Sequence, residues 1–280
     1  MHVADPVHLR SWHAELALRY QRRGERTVLA ERRHDGPLVV QKPLYPEGDA
    51  VCHTIILHPP AGIVGGDELE ISCDAAADAH VLLTTPGAGK WYRSAGPWAK
   101  QRLSFDVATG ACLEWLPQET IVFDGALADM ESRINLAVGS AYIGWEILCL
   151  GRAGSGERYD HGTCRLHTKI RCDGKLLWFE KGNIEAGSRI GAAPAGLGGH
   201  SVCATMIAVG NIDAALVARC REQAADDASI AMTLLPGPLL VVRHIGDSGA
   251  AARQCFEKLR ACLRPALTGR TAVEPRIWRT

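Results

Sequence analysis

The sequence predicts a mainly β protein that closes with two α-helices, and three observations carry that reading. From about residue 27 to residue 209, short β-prone runs follow one another, divided by Gly, Pro and Asp. Within them, Arg102-Leu103-Ser104-Phe105-Asp106-Val107 alternates polar and apolar residues, as a strand with one wet and one dry face must. Beyond residue 209 the periodicity becomes helical, interrupted once by a hairpin signal.

Taken in order, the apolar runs 51–57, 68–73 and 80–85 read as strands, the first ending at His58-Pro59-Pro60 and the third at Pro86-Gly87. The alternating run 101–107 is next, then 119–123, ended by Asp124-Gly125. Residues 131–138 alternate more loosely, through Glu131-Ser132-Arg133-Ile134-Asn135-Leu136. Residues 142–150 are apolar on both parities except at Glu146, which predicts a strand buried on both faces and a carboxylate in an expensive place. A dozen or more strands are expected in all, on the order of one per dozen residues of the body. Near the end, helices are expected at 212–225, behind Asn211 as N-cap, and at 249–263, behind Ser248 and stopped at Pro265. Between them 230–235 and 239–244 read as a hairpin about Pro236-Gly237-Pro238. The chain, 1–280, reads as one domain: a β-rich body over about 27–210 and a helix-hairpin-helix section over about 211–280, with no repeat regular enough to give a solenoid period.

Composition narrows the function classes. Apolar residues are 47% and charged residues 22%, the balance of an ordinary folded chain rather than a disordered, collagenous or coiled-coil one. Lys plus Arg and Asp plus Glu are both 31, so no bulk field exists to hold nucleic acid or an anionic membrane. Apolar runs fall far short of the roughly 20 residues that span a bilayer. The N-terminal Met1-His2-Val3-Ala4-Asp5-Pro6 lacks the features of a secretory leader, so a cytoplasmic setting is expected. Ten cysteines without a C-x-x-C pair read as reduced, mostly buried thiols.

Motif chemistry gives no positive reason to read the chain as an enzyme, though a triad could still assemble from distant residues. Thr84-Thr85-Pro86-Gly87-Ala88-Gly89-Lys90-Trp91 imitates a phosphate loop but has Thr84 where the first glycine belongs and Trp91 where magnesium needs a hydroxyl. His53 with His58, and Cys164 with His167, are separated by odd intervals, which in a strand places each pair on opposite faces and denies them a shared metal. No G-x-S-x-G elbow, H-E-x-x-H helix or G-x-G-x-x-G turn occurs, and Gly198-Gly199-His200-Ser201 reads as a tight turn. Three segments combine Gly, Pro and aromatic residues: 58–67, 84–94 and 113–121. They suit either rigid turns or a recognition surface.

Those three segments, with Lys42-Pro43-Leu44-Tyr45-Pro46-Glu47-Gly48, Gly151-Arg152, Gly156-Glu157, Gly174-Lys175-Leu176, Arg243 and the ending Pro275-Arg276-Ile277-Trp278-Arg279-Thr280, resemble the UreD (UreH) urease accessory family from about Val28 to the terminus. Ala61 departs from the family's H-P-P-G-G-I-V-G-G-D loop, and its Cβ argues against a positive φ there. The resemblance implies β-helix-like stacked mixed sheets and a non-catalytic chaperone or scaffold. It implies that the chain binds apo-urease with UreF and the GTPase UreG and supports GTP-dependent nickel insertion. It implies no tightly bound cofactor, only transient Ni2+, and it leaves a homodimer within a larger accessory complex open.

If nickel passes through the interior, isolated carboxylates suit the route better than a cysteine-histidine cage, because a conduit must release its ion. The candidates are Asp67, Glu119, Glu146 and Glu180, each an acid with apolar residues close by in sequence. Lys90, Tyr92, Arg93, Arg276 and Trp278 are the candidate anchors for UreF or urease, since Tyr, Trp and Arg dominate interface energetics. The alternatives are a docking adaptor that conducts no nickel and an unrelated enzyme on a β scaffold.

Overall fold

The computed structural model describes residues 11–224, 227–237 and 239–279. A hairpin of β1 (His13–Arg23) and β2 (Arg26–Asp35) leads through β3 (Val39–Val40) to β4 (Val51–Leu57). There follow β5 (Glu68–Ala75), β6 (His80–Thr84), β7 (Gly89–Trp91), β8 (Ala99–Val107), β9 (Cys112–Leu116), β10 (Thr120–Val122), β11 (Leu127–Leu136), β12 (Ala141–Leu150), β13 (Thr163–Cys172) and β14 (Lys175–Glu185). A four-residue helix α1 (Arg189–Ala192) precedes β15 (Val202–Val209), α2 (Ala214–Gln223), the hairpin of β16 (Ile230–Leu235) and β17 (Leu239–Gly246), and α3 (Gly249–Thr268).

The protein is mainly strand, and its strands wind. Between β4 and β13 the chain alternates between two sheets: β5, β8, β11 and β13 stack in parallel in one, and β4, β6, β9 and β12 in the other. Parallel neighbours joined by way of the opposite sheet make a β-solenoid. Val51, His80, Cys112 and Ala141 lie side by side on successive coils of about 30 residues. A solenoid period therefore exists where the sequence showed none, because turns of unequal length and unlike strand sequences conceal it. Antiparallel strands finish both sheets, giving the orders β14-β13-β11-β8-β5-β1-β2 and β16-β17-β15-β12-β9-β6-β4-β3, with β10 paired to β12 and β7 to β10.

Three layers result. The alternation at Leu103, Phe105 and Val107 turns those residues into the space between the sheets, while Arg102 and Asp106 face outward. The strand expected to be buried on both faces is so: Tyr142 and Leu148 of β12 join the core between the sheets, and Ile143, Trp145 and Ile147 join a second core beneath α2 and α3.

Three boundaries and one backbone angle differ from the sequence reading. The β body begins at His13 rather than near residue 27, with Ala14, Leu16, Leu18 and Tyr20 buried at period two. Asp213, not Asn211, caps α2, its carboxylate accepting the Leu216 amide; the expected end, Ala225, lies outside the described residues, as do Pro238 and Thr280. Helix α3 continues through Pro265 to Thr268 and ends on Gly269 at φ +68°, with the Gly269 amide donating to the Pro265 carbonyl. Buried Leu263 and Arg264 hold that last turn, so one missing amide does not end the helix. Finally, Ala61 does adopt a positive φ, +62°: its loop keeps the glycine geometry despite the Cβ. No helix among the described residues is long and apolar enough to cross a membrane.

Candidate functional site

The three Gly, Pro and aromatic segments converge. His58, Gly62, Pro86, Lys90, Pro117 and Gln118 all border one cavity of about 330 Å³ at one end of the inter-sheet space. Their fit requires Gly62, where a Cβ would stand 2.0 Å from the Tyr92 ring. Gly89-Lys90-Trp91 is strand β7, so no helix N-terminus follows to receive a phosphate.

A second cavity, of about 460 Å³, continues between the sheets towards β13, β14, β15 and β17. The two share Gln101, Trp115 and Glu146 as lining, so Glu146 stands where they meet. Its position follows from β12: at period two with Tyr142 and Leu148 it must point between the sheets, where the gap beside it leaves it half-buried. Burial pushes its carboxyl up to about 7, against the Thr120 hydroxyl that hydrogen-bonds it. At neutral pH both its protonated and its ionised forms are therefore populated.

Glu180 lines the second cavity too, held by Arg243, whose Nη2 donates to it at 2.6 Å. His58 Nε2 is unpartnered among the described residues in the first cavity; His244, 3% exposed, also has an unpartnered Nδ1, but it follows Arg243 on β17 and shares the parity of Leu240 and Val242, so its ring lies on the helix side. Burial pushes both imidazoles below their usual range, so they stay neutral lone-pair donors around pH 7.

The other two acids border neither cavity. Asp67 is buried, and its carboxylate accepts the amides of Trp12 and Val64 at 2.8 and 2.9 Å, closing the glycine-rich loop. Glu119 accepts from Arg253 Nε at 3.2 Å, tying the β9–β10 segment to α3. Of the anchor candidates, Lys90 lies at the first cavity, Tyr92 packs edge-on against Phe123 at 4.8 Å, and exposed Arg93 pairs with Asp124. Arg276 is exposed; Trp278 is half-buried, donating Nε1–H to the Thr84 hydroxyl at 2.8 Å beside Trp145.

The sequence reading missed a second charged centre, on the helix side of β9. Glu114 is wholly buried, accepting from Arg260 Nε at 2.6 Å and Arg264 Nε at 2.9 Å and lying 2.9 Å from His80 Nε2. Arg264 also reaches Glu47 at 2.7 Å, and Glu47 reaches His53 at 2.6 Å. Burial would raise the Glu114 carboxyl, but Arg260, the His80 hydrogen bond and Arg264 outweigh it and hold the group well below its ordinary value. His80, Cys112 and Glu114 converge within 4.8 Å, yet both Glu114 oxygens are taken by arginine, so the cluster clamps α3 instead of holding a cation. Its signal in the sequence was Glu114 within the apolar Leu113-Glu114-Trp115-Leu116 and arginines at i and i+4 on the buried stripe of α3.

The family described as UreD urease accessory protein matches residues 13–279. The chain is 52% identical to a urease accessory protein UreD of Dechloromonas aromatica over 99% of this chain and 98% of that protein. It is also 52% identical to one of Azoarcus sp., over 100% and 97%, and 47% identical to one of Pseudomonas aeruginosa, over 96% of each.

Proposed function

This chain belongs to the UreD urease accessory protein family, and from that premise we propose that it carries nickel through its interior during urease maturation. In this reading it binds apo-urease together with UreF and the GTPase UreG in the cytoplasm, and GTP hydrolysis supports transfer of Ni2+ as cargo. The chain is not itself an enzyme; it is an accessory protein.

One observation carries the reading: two cavities meet at Glu146, between the sheets. A passing divalent cation needs donors that replace part of its hydration yet do not cage it. Glu146 at the junction, His58 in the first cavity and Glu180 in the second are separate oxygen and nitrogen donors of that kind. The rest of the wall mixes apolar residues such as Trp115 with neutral polar ones such as Gln101, Gln118, Ser132 and Thr205 and the cations Lys90 and Arg243, so it adds no second carboxylate beside Glu146 to cage an ion. Asp67 and Glu119, committed to a loop and to Arg253, serve the frame of the route. The Arg243 contact of Glu180 weakens it as a ligand and favours Glu146 as the principal step.

The test assembles apo-urease with UreF, UreG, GTP and nickel, with the wild-type chain or with Glu146→Gln or Glu180→Gln. Retained partner binding with bound nickel and urease activity reduced by about tenfold or more for Glu146→Gln supports passage. Undiminished activation by Glu146→Gln and Glu180→Gln together would refute it and leave a docking adaptor.

A further inference from the structure

Outside the cavities, one surface stands out by its composition. Among the described residues six large apolar side chains are exposed, and three of them, Leu176 at 54%, Phe179 at 56% and Ile190 at 59%, lie on β14 and the helix α1 that follows and touches it. Single exposed apolar residues are ordinary; a concentration on one element is not.

Register places the neighbours. Opposite Phe179 on the same outer face is Lys169, opposite Leu176 is Arg171, and Lys181 lies opposite His167. Lys175 begins the strand, and none of Lys169, Lys175 or Lys181 has an ion-pair partner among the described residues. Acids on the adjoining strand are already engaged: Asp129 by Arg102, and Glu131 by Arg102 and Arg133. Glu185, at the far end of β14, is the one acid that strand turns outward. Asp173 in the β13–β14 turn, whose carboxylate accepts the Val138 amide, and Glu185 are the acids at its two ends; between them the surface is apolar at its centre and cationic along its flank, in a chain with no net charge.

The backbone adds a direction. β14 is the last strand of its sheet, so its outer edge has no strand neighbour among the described residues. Open edges with exposed apolar residues are templates for strand addition, where main-chain hydrogen bonds give affinity and alternate side chains give selectivity.

We propose that the outer edge of β14 is a docking site for an acidic, extended protein segment, which adds as a strand with apolar side chains on Phe179 and Leu176 and carboxylates on Lys169, Lys181 and Arg171. Charge selects this occupant. A second copy of the chain would bring the same lysines and arginine against themselves, which disfavours it. The site is separate from the cavities and does not depend on nickel passage.

The test uses the full chain and a labelled Glu-Val-Glu-Val-Glu-Val-Glu peptide, with Lys replacing Glu in the control, read by fluorescence anisotropy. Saturable binding of the acidic peptide alone is expected, weakened by about tenfold at 0.5 M salt and by a similar factor in Lys169→Glu/Lys181→Glu and in Phe179→Ser. Hydrogen exchange should show slowed amides in 175–185 on binding. These positions face outward, and far-ultraviolet circular dichroism of the variants matching wild type verifies that they fold. No binding at about 1 mM peptide, equal binding of the basic peptide, or binding indifferent to the variants would overturn the proposal. So would self-association abolished by Phe179→Ser, or binding to phosphatidylserine vesicles in place of the peptide.

Discussion

Replacing Glu146 by Gln should make the protein more stable at alkaline pH and leave it nearly unchanged in acid. The carboxyl titrates near 7 in the folded chain against 4.5 when unperturbed, with burial as the cause. Between those values the folded state holds a proton that the unfolded state has lost, so unfolding releases it and wild-type stability falls as pH rises through that window. Full ionisation inside then costs about 3 kcal/mol, and about 2 kcal/mol of this develops between pH 5 and 8. Glutamine has no proton to lose, is of the same size, and keeps an oxygen for the Thr120 hydroxyl. Urea unfolding of both proteins at pH 5, 6, 7 and 8 measures the difference, in which all other titrating groups cancel. Glu146→Gln should gain about 2 kcal/mol over wild type across the series. A difference that stays flat within about 0.5 kcal/mol would refute the claim that this carboxylate is buried where the two cavities meet.

Three further outcomes follow from particular contacts. Thr120→Val removes the one hydrogen bond among the described residues that favours ionised Glu146, so the carboxyl should titrate above 7, seen by carbon-13 chemical shifts of labelled glutamate; a downward move would contradict the geometry. Ala61→Gly should raise stability by about 1 kcal/mol in urea unfolding, because a positive φ strains alanine and not glycine; no gain would mean the loop relaxes around the Cβ. Glu114→Ala leaves buried Arg260 without an ion-pair partner among the described residues and Arg264 with Glu47 alone, and should cost about 3 kcal/mol, seen as a lowered thermal midpoint; a loss below about 1 kcal/mol would show that the clamp is not what fastens α3.

Much of the site was legible one segment at a time. Glu146 stood out because a single acid interrupts an apolar run, and the segments 58–67, 84–94 and 113–121 stood out because Gly, Pro and aromatic residues seldom gather without a tight local reason. Glu114 meets the same criterion over a shorter run and was passed by; its meaning depends on Arg260 and Arg264, far along the chain on a helix.

The sequence by itself determined many of the strands between residues 51 and 150, the two C-terminal helices with the hairpin between them, the dry faces of 102–107 and 142–150, and which family the chain resembles, because periodicity, turn chemistry and motif order are local properties. Only the tertiary structure decided which of four candidate acids share a space. Glu146 and Glu180 line one cavity, whereas Asp67 and Glu119 are turned to other partners. The reason is the winding of the chain: coils of about 30 residues, with turns of unequal length, set residues side by side through a register that no local pattern encodes.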